Sequence, residues 1–244
     1  MEKAKNSLLE RQADAMVLKQ HYITPTEVNM PILKTTKGST HKAVIVQSSF
    51  NDNQNKESQR NELDGFFLLE ATGMGFPEDA QQALIADRKL FSVMEDDMTY
   101  FTEMVYIDAS ENQLNLYSFG AFPKLRELRL ACNHISNIPQ ELFGFESLIC
   151  LDLSYNHLTT ESIQALETLP NLRDLDLSGN KLREIPDDWQ HYRTLEKLLL
   201  DYNLLEDNDI FTFISTAPNL RFLSVYDNHL SSFPEVALAC DGFK

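Results

Sequence analysis

The 244-residue chain is poor in the residues that build special sites. It has three cysteines, an odd number that offers no disulfide framework and predicts free thiols in a reducing compartment. Its eight glycines form no phosphate-cradling loop; Gly73 and Gly75 in GMGF fall short of any such pattern and read as a turn. There is no G-x-S-x-G elbow, and no histidine is placed to activate Ser154 or Ser178. No apolar run approaches the roughly 20 residues that span a bilayer. The N-terminus, MEKAKNSLLERQADAMVLKQ, is charged throughout and lacks a signal-peptide core. Positive charge is also scarce: 21 Lys and Arg stand against 37 Asp and Glu, a formal net charge of -16. Such a chain repels phosphate and anionic headgroups, which argues against nucleic acid and membrane as partners. The expectation is a soluble, non-catalytic protein with no cofactor, no metal and no small-molecule substrate.

What the chain has is repetition. From about Phe101 the segments MVYIDASENQL, LRELRLACNHI, LICLDLSYNHL, LRDLDLSGNKL, LEKLLLDYNLL and LRFLSVYDNHL align without gaps. They fit L-x-x-L-x-L-x-x-N-x-L, the leucine-rich-repeat pattern. The aligned asparagines are Asn112, Asn133, Asn156, Asn180, Asn203 and Asn228, spaced by 21, 23, 24, 23 and 25 residues. Each x-L-x-L-x stretch predicts a short strand with its leucines inward. One repeat cannot bury its apolar face alone, so the copies must stack. The fold expected is α/β: a solenoid of about six repeats with a parallel sheet on its concave face.

The linking segments are of two sorts. Ile138-Pro139, Ile185-Pro186 and Phe233-Pro234 predict extended or single-turn connections. ESIQALETLPNL predicts a helix burying Ile163, Leu166 and Leu169. DNDIFTFISTAPNL predicts another, burying Ile210, Phe213, Ile214 and Ala217, with Asp207 or Asn208 as N-cap. MEDDMTYFTEM reads as a short amphipathic helix, and residues 77–104 as a cap over the first turn. Residues 1–76 are expected to form an extended, mostly irregular arm, with a short helix from Asn6 to His21 and a strand at Ala43 to Val46. Residues 1–56 carry eight basic and five acidic residues, net +3, whereas residues 101–244 carry ten and 22, net -12. After Leu230 only a partial repeat follows, so residues 105–244 are expected to form a solenoid with an uncapped C-terminal end.

The x positions set the concave face in columns. One holds Tyr106, Glu127, Cys150, Asp174, Lys197 and Phe222. The next holds Asp108, Arg129, Asp152, Asp176, Leu199 and Ser224. The third holds Ser110, Ala131, Ser154, Ser178, Asp201 and Tyr226. Strands about 4.8 Å apart bring Asp152 and Asp176 together as like charges, with Asp174 and Asp201 nearby. Arg129 is expected to be neutralised by the flanking Asp108 and Asp152. Tyr155, Tyr202, Phe222 and Tyr226 form an aromatic edge, a composition enriched at interfaces. The partner-binding candidates are therefore Tyr106, Glu127, Arg129, Asp152, Asp174, Asp176, Lys197, Asp201, Tyr202, Phe222 and Tyr226. His134, His157 and His229 share one repeat position and read as loop-filling residues. Cys132 and Cys150 read as free thiols, and Trp189 with Tyr192 as core.

The run from YIDASENQL through AFPKLRELRLACNHI and SLICLDLSYNHLTTESIQALETLPNLRDLDLSGNKL to NLRFLSVYDNHL resembles the X-ray radiation resistance-associated protein family, best over about Tyr106 to Leu182. It is also similar to the leucine-rich-repeat components of ciliary axonemes. The resemblance implies a cytoplasmic or nuclear protein that binds other proteins. The preferred expectation is a structural part of a ciliary axoneme or other microtubule-associated assembly, with tubulin or axonemal complexes as partners. The alternative is a regulatory subunit whose concave face binds an enzyme such as a phosphatase.

Overall fold

The structure, a computed structural model, describes residues 61–206 and 209–231. The expected helix at Asn6 to His21, the strand at Ala43 to Val46, Phe233-Pro234 and the partial repeat after Leu230 lie outside the described residues.

The repeat leucines do what their spacing demands. Seven short strands form one parallel sheet: β2 (Gln82–Leu84), β4 (Tyr106–Asp108), β5 (Glu127–Arg129), β6 (Cys150–Asp152), β7 (Asp174–Asp176), β8 (Lys197–Leu199) and β9 (Phe222–Ser224). Their register sets Ala83, Ile107, Leu128, Leu151, Leu175, Leu198 and Leu223 in one row. The first six of these are buried, and so are Leu130, Leu153, Leu177 and Leu200 two residues further on. Each leucine taken from water contributes roughly 1.5–3 kcal/mol, and the row makes those contributions cooperative between repeats.

The asparagines tie each repeat to the one before it. Asn156 donates Nδ2 to Leu130 O and Leu153 O at 2.9 and 3.0 Å. Its Oδ1 accepts Asn133 N and Ile135 N, both at 2.9 Å. Asn180 donates likewise to Leu153 O and Leu177 O and accepts Leu158 N. Asn203 accepts Asn180 N and Leu182 N, and Asn112, Asn133 and Asn228 bond back in the same manner. A polar side chain can sit this deep because its donors and acceptor are all taken. The residue before the asparagine turns the chain through the left-handed region in every repeat: Glu111, Cys132, Tyr155, Gly179, Tyr202 and Asp227 have φ between 53° and 69°.

The sheet begins one strand earlier than the six copies read from the sequence. Ala80, Ala83, Ile85, Arg88 and Leu90 fill the repeat pattern, with alanine at two leucine positions and Arg88 at the asparagine position. Asn112 Oδ1 accepts both Arg88 N and Leu90 N, so this degenerate turn is held by its successor. The stretch expected as a cap thus carries β2. The packed unit itself begins at Asn61, before the expected boundary at 77. There β1 (Glu62–Leu63) pairs in parallel with β3 (Ser92–Val93). Helix α1 (Gly65–Thr72) buries Leu68 and Leu69 and is capped by Asp64, whose Oδ1 accepts Phe67 N at 2.7 Å. The short helix in MEDDM is α2 (Glu95–Met98); its Asp97 accepts Gly65 N at 2.9 Å.

The links follow the two sorts expected. Helix α3 (Thr160–Ala165) is capped by Thr159 and runs into a 3-10 turn, burying Ile163, Leu166 and Leu169. Helix α4 (Ile210–Ile214) starts from Asp209, while residues 207 and 208 lie outside the described set. It buries Phe211 rather than Phe213, because a helix this short turns its first and second residues inward with Ile214. Ile138 and Ile185 are buried in front of their prolines. Trp189 is fully buried, stacks on Tyr192 at 4.7 Å and donates Nε1 to Pro186 O. In the segments before β5 and β6, Gly120 and Gly144 meet backbone to backbone. A Cβ on Gly144 would stand 2.0 Å from Gly120 O, so no larger residue fits this approach.

Candidate functional site

The register places the concave columns as the repeat spacing requires. Tyr106, Glu127, Cys150, Asp174, Lys197 and Phe222 are successive partners across the sheet, as are Asp108, Arg129, Asp152, Asp176, Leu199 and Ser224. β2 lengthens both columns, with Gln82 beside Tyr106 and the exposed Leu84 beside Asp108. The floor of the central hollow is lined by Glu127, Arg129, Cys150, Asp152, Asp174, Asp176 and Lys197.

The two ends of this face differ in charge arrangement. At the β4–β5 end Arg129 is held by Glu127, two residues back on its own strand, at 2.9 Å. Its guanidinium also lies over the Tyr106 ring, 5.4 Å from the centroid. The expected clamp by Asp108 and Asp152 is therefore corrected: Glu127 shares a strand face with Arg129 and reaches it first. The Glu127 hydrogen bond raises the Arg129 pKa further, and burial raises that of Tyr106 against the opposing pull of Arg129.

Toward β6–β9 the carboxylates lead. Asp152 and Asp176 are direct partners across the sheet. Asp152 Oδ1 accepts Ser154 N and Asp176 Oδ1 accepts Ser178 N, both at 2.9 Å. Asp108 makes the same turn with Ser110. Ser154 and Ser178, examined as nucleophiles in the sequence, are buried at these turns. The signal was visible as the recurring Asp-x-Ser, which sequence reasoning left unused. Burial pushes the Asp176 pKa up, Asp152 and Asp201 add to it, and the Ser178 bonds oppose it. Cys150 donates to Asp174 Oδ2 at 3.6 Å; burial first and Asp174 second push this thiol up to about 11. It is held as a thiol, the inert form.

The aromatic edge is exposed: Tyr155 by 53%, Tyr202 by 49%, Phe222 by 52% and Tyr226 by 69%. Tyr202 and Tyr226 meet edge to face at 5.6 Å. Lys197 Nζ lies over the Phe222 ring at 5.9 Å. Asp201 Oδ1 accepts Ser224 Oγ and Tyr226 N, which ties the last two strands together beneath the tyrosines. Of the histidines, His134 and His157 lie tilted against each other at 5.6 Å on adjacent turns, and His229 faces Glu206 at 3.8 Å. Among the described residues no group of three or more His, Cys, Asp or Glu is arranged to hold a metal. Also among these, no helix is long and apolar enough to cross a membrane.

Stacked parallel strands, an inward leucine row and an asparagine ladder define a leucine-rich-repeat solenoid. The sequence model of the leucine rich repeat family matches residues 123–182. Mouse (Mus musculus) X-ray radiation resistance-associated protein 1 is 41% identical over 101 residues, which is 41% of this chain. The chain is a leucine-rich-repeat protein that resembles the X-ray radiation resistance-associated protein family. The matched part is 13% of that curated relative's own length. Among solved structures, TLR13 in a TLR13–ssRNA13 complex is 22% identical with a TM-score of 0.58, covering 74% of this chain and 25% of that one. This likeness shows the fold. Internalin C2 of Listeria monocytogenes is 22% identical with a TM-score of 0.49, covering 62% of this chain and 63% of its own.

Proposed function

We propose that the chain is a non-catalytic scaffold that binds another protein across its concave face. The observation that carries this reading is the run of exposed aromatic and half-buried acidic side chains on and just after β6–β9, set on strands whose inner leucines Leu151, Leu175 and Leu198 are committed to packing. A rigid, pre-ordered surface loses little freedom on binding, and exposed tyrosines are favoured anchors. The preferred setting is a ciliary axoneme or other microtubule-associated assembly, in which the net +3 of residues 1–56 suits the acidic tubulin surface and the solenoid meets other proteins. Co-sedimentation of the purified protein with doublet microtubules and their complexes tests it. Recovery in the pellet with saturable stoichiometry is expected, and a protein left wholly in the supernatant contradicts the axonemal reading.

A second reading rests on the charge of the same face. The solenoid would then be a regulatory subunit whose carboxylates hold a basic segment of an enzyme such as a phosphatase. Changing Asp152, Asp174 and Asp176 together to lysine should abolish co-purification of that enzyme. Unchanged co-purification would remove this reading.

A further inference from the structure

The geometry points to the chemistry of the segment that this face takes, an inference that rests on the scaffold reading above. We propose that the tyrosine ridge Tyr155–Tyr202–Tyr226, with the carboxylates beside it, takes an extended, arginine-bearing segment of a partner protein. A guanidinium of that segment stacks on a ring while pairing with a neighbouring carboxylate.

The ridge stands on an ordered backbone. Tyr202 and Tyr226 touch edge to face, and Tyr155 leans over Gly179, where a Cβ would meet its ring at 2.6 Å. Glycine at 179 therefore leaves the room that the Tyr155 ring takes over the next repeat's turn. The backbone under the rings is bonded on: Tyr155 N donates to Ser178 O at 2.7 Å and Tyr202 N to Tyr226 O at 2.8 Å. Tyrosines on a backbone held this way have only their two side-chain torsions to lose when they are covered.

The same sheet shows how it holds a guanidinium. At its other end Arg129 lies over Tyr106 while pairing with Glu127, so ring, cation and carboxylate are all supplied by the chain. On β6–β9 rings and carboxylates recur, but no cation of the described residues bridges the two. Among the described residues no lysine or arginine forms an ion pair with Asp152, Asp174, Asp176 or Asp201. The one basic side chain of these columns on β6–β9, Lys197, is turned over Phe222. Charge complementarity then selects a cationic occupant. Planarity and a forked set of donors make arginine a better match than lysine for a ring beside a carboxylate. An acidic or phosphorylated segment would be repelled.

The test is binding of the full chain to short acetylated peptides that alternate glycine with arginine, lysine or glutamate, read by calorimetry at physiological salt. The arginine peptide should bind about five- to tenfold more tightly than the lysine peptide, and the glutamate peptide should not bind. Y202A/Y226A should erase the arginine preference, whereas Y202F/Y226F should keep it. Should the double alanine variant fail to fold, Y226A alone, at the more exposed ring, should lower the preference. Equal affinity for the arginine and lysine peptides, no binding of either, or an arginine preference that survives the alanine variants would overturn the proposal. If the triple lysine change at Asp152, Asp174 and Asp176 still abolished partner co-purification in that event, the scaffold reading would stand and only this inference would fall.

Discussion

The two faces of the same strands repeat to very different degrees. Inside, Ile107, Leu128, Leu151, Leu175 and Leu198 are near copies of one another, all buried in one row. Outside, the residues beside them change from Glu127 and Arg129 to Asp174 and Asp176 to Lys197 and Leu199 within three further repeats. The difference teaches which positions the backbone dictates. A leucine inside must match its neighbours in volume, and a ladder asparagine must satisfy groups of the turn before it. Apart from the aspartates that cap the Ser110, Ser154 and Ser178 turns and Asp201 between the last strands, a concave side chain answers to no such demand, so its identity is free to serve a partner.

Substitutions that respect or violate this division should separate cleanly. Leu175→Ala, in the middle of the row, should cost about 2–5 kcal/mol in urea unfolding, because the cavity cannot collapse between two rigid neighbours. Asn180→Ala should come next, at about 1–3 kcal/mol, since it orphans Leu158 N in a buried site and takes one of two amide donors from each of the Leu153 and Leu177 carbonyls. A smaller loss of about 1 kcal/mol is expected for Gly179→Ala, whose Cβ would strain a φ of +69° and push Tyr155 aside. This variant sharpens the comparison, because it should also weaken binding at the ridge.

Asp176→Asn should act in the opposite direction and only at some pH values. The folded pKa of Asp176 is raised by burial and then by Asp152 and Asp201, so the native state holds that proton more tightly than the unfolded chain. The destabilising contribution is absent below the ordinary value of 3.8 and develops as pH rises through the raised folded value. The asparagine should therefore raise Tm by about 1–3 °C at neutral pH and by less in acid, the effect being modest because the group is partly solvated. Tyr226→Ala should change stability by no more than about 0.5 kcal/mol, as surface substitutions do. A Tyr226→Ala loss equal to that of Leu175→Ala would break the division between the faces.

Much of this was legible in the sequence because a repeat multiplies its own signal. The leucine row, the asparagine ladder, the helix at Thr160–Ala165 and the concave columns all follow from a period read directly off the residues. The first turn escaped because Ala83 and Arg88 stand where leucine and asparagine mark a repeat, and its structure is imposed by Asn112 from the next turn. The partner of Arg129 escaped because the register sets cross-strand neighbours, whereas Glu127 competes from the same strand at two residues' distance. Phe211 displaced Phe213 in the core because a helix of barely more than one turn has no settled periodicity. The lean of Tyr155 over Gly179 depends on a missing side chain one repeat away, which no pattern of leucines reports.

The central claim is that partner binding lives on the concave face while stability lives on the inner one. Proximity labelling from the tagged chain in a ciliated cell, compared with the variant carrying lysine at Asp152, Asp174 and Asp176, tests it most directly, with circular dichroism melting of both proteins alongside. The account predicts that the variant keeps its fold and loses the proteins that the native chain labels most strongly. An unchanged set of labelled proteins from a folded variant would contradict it.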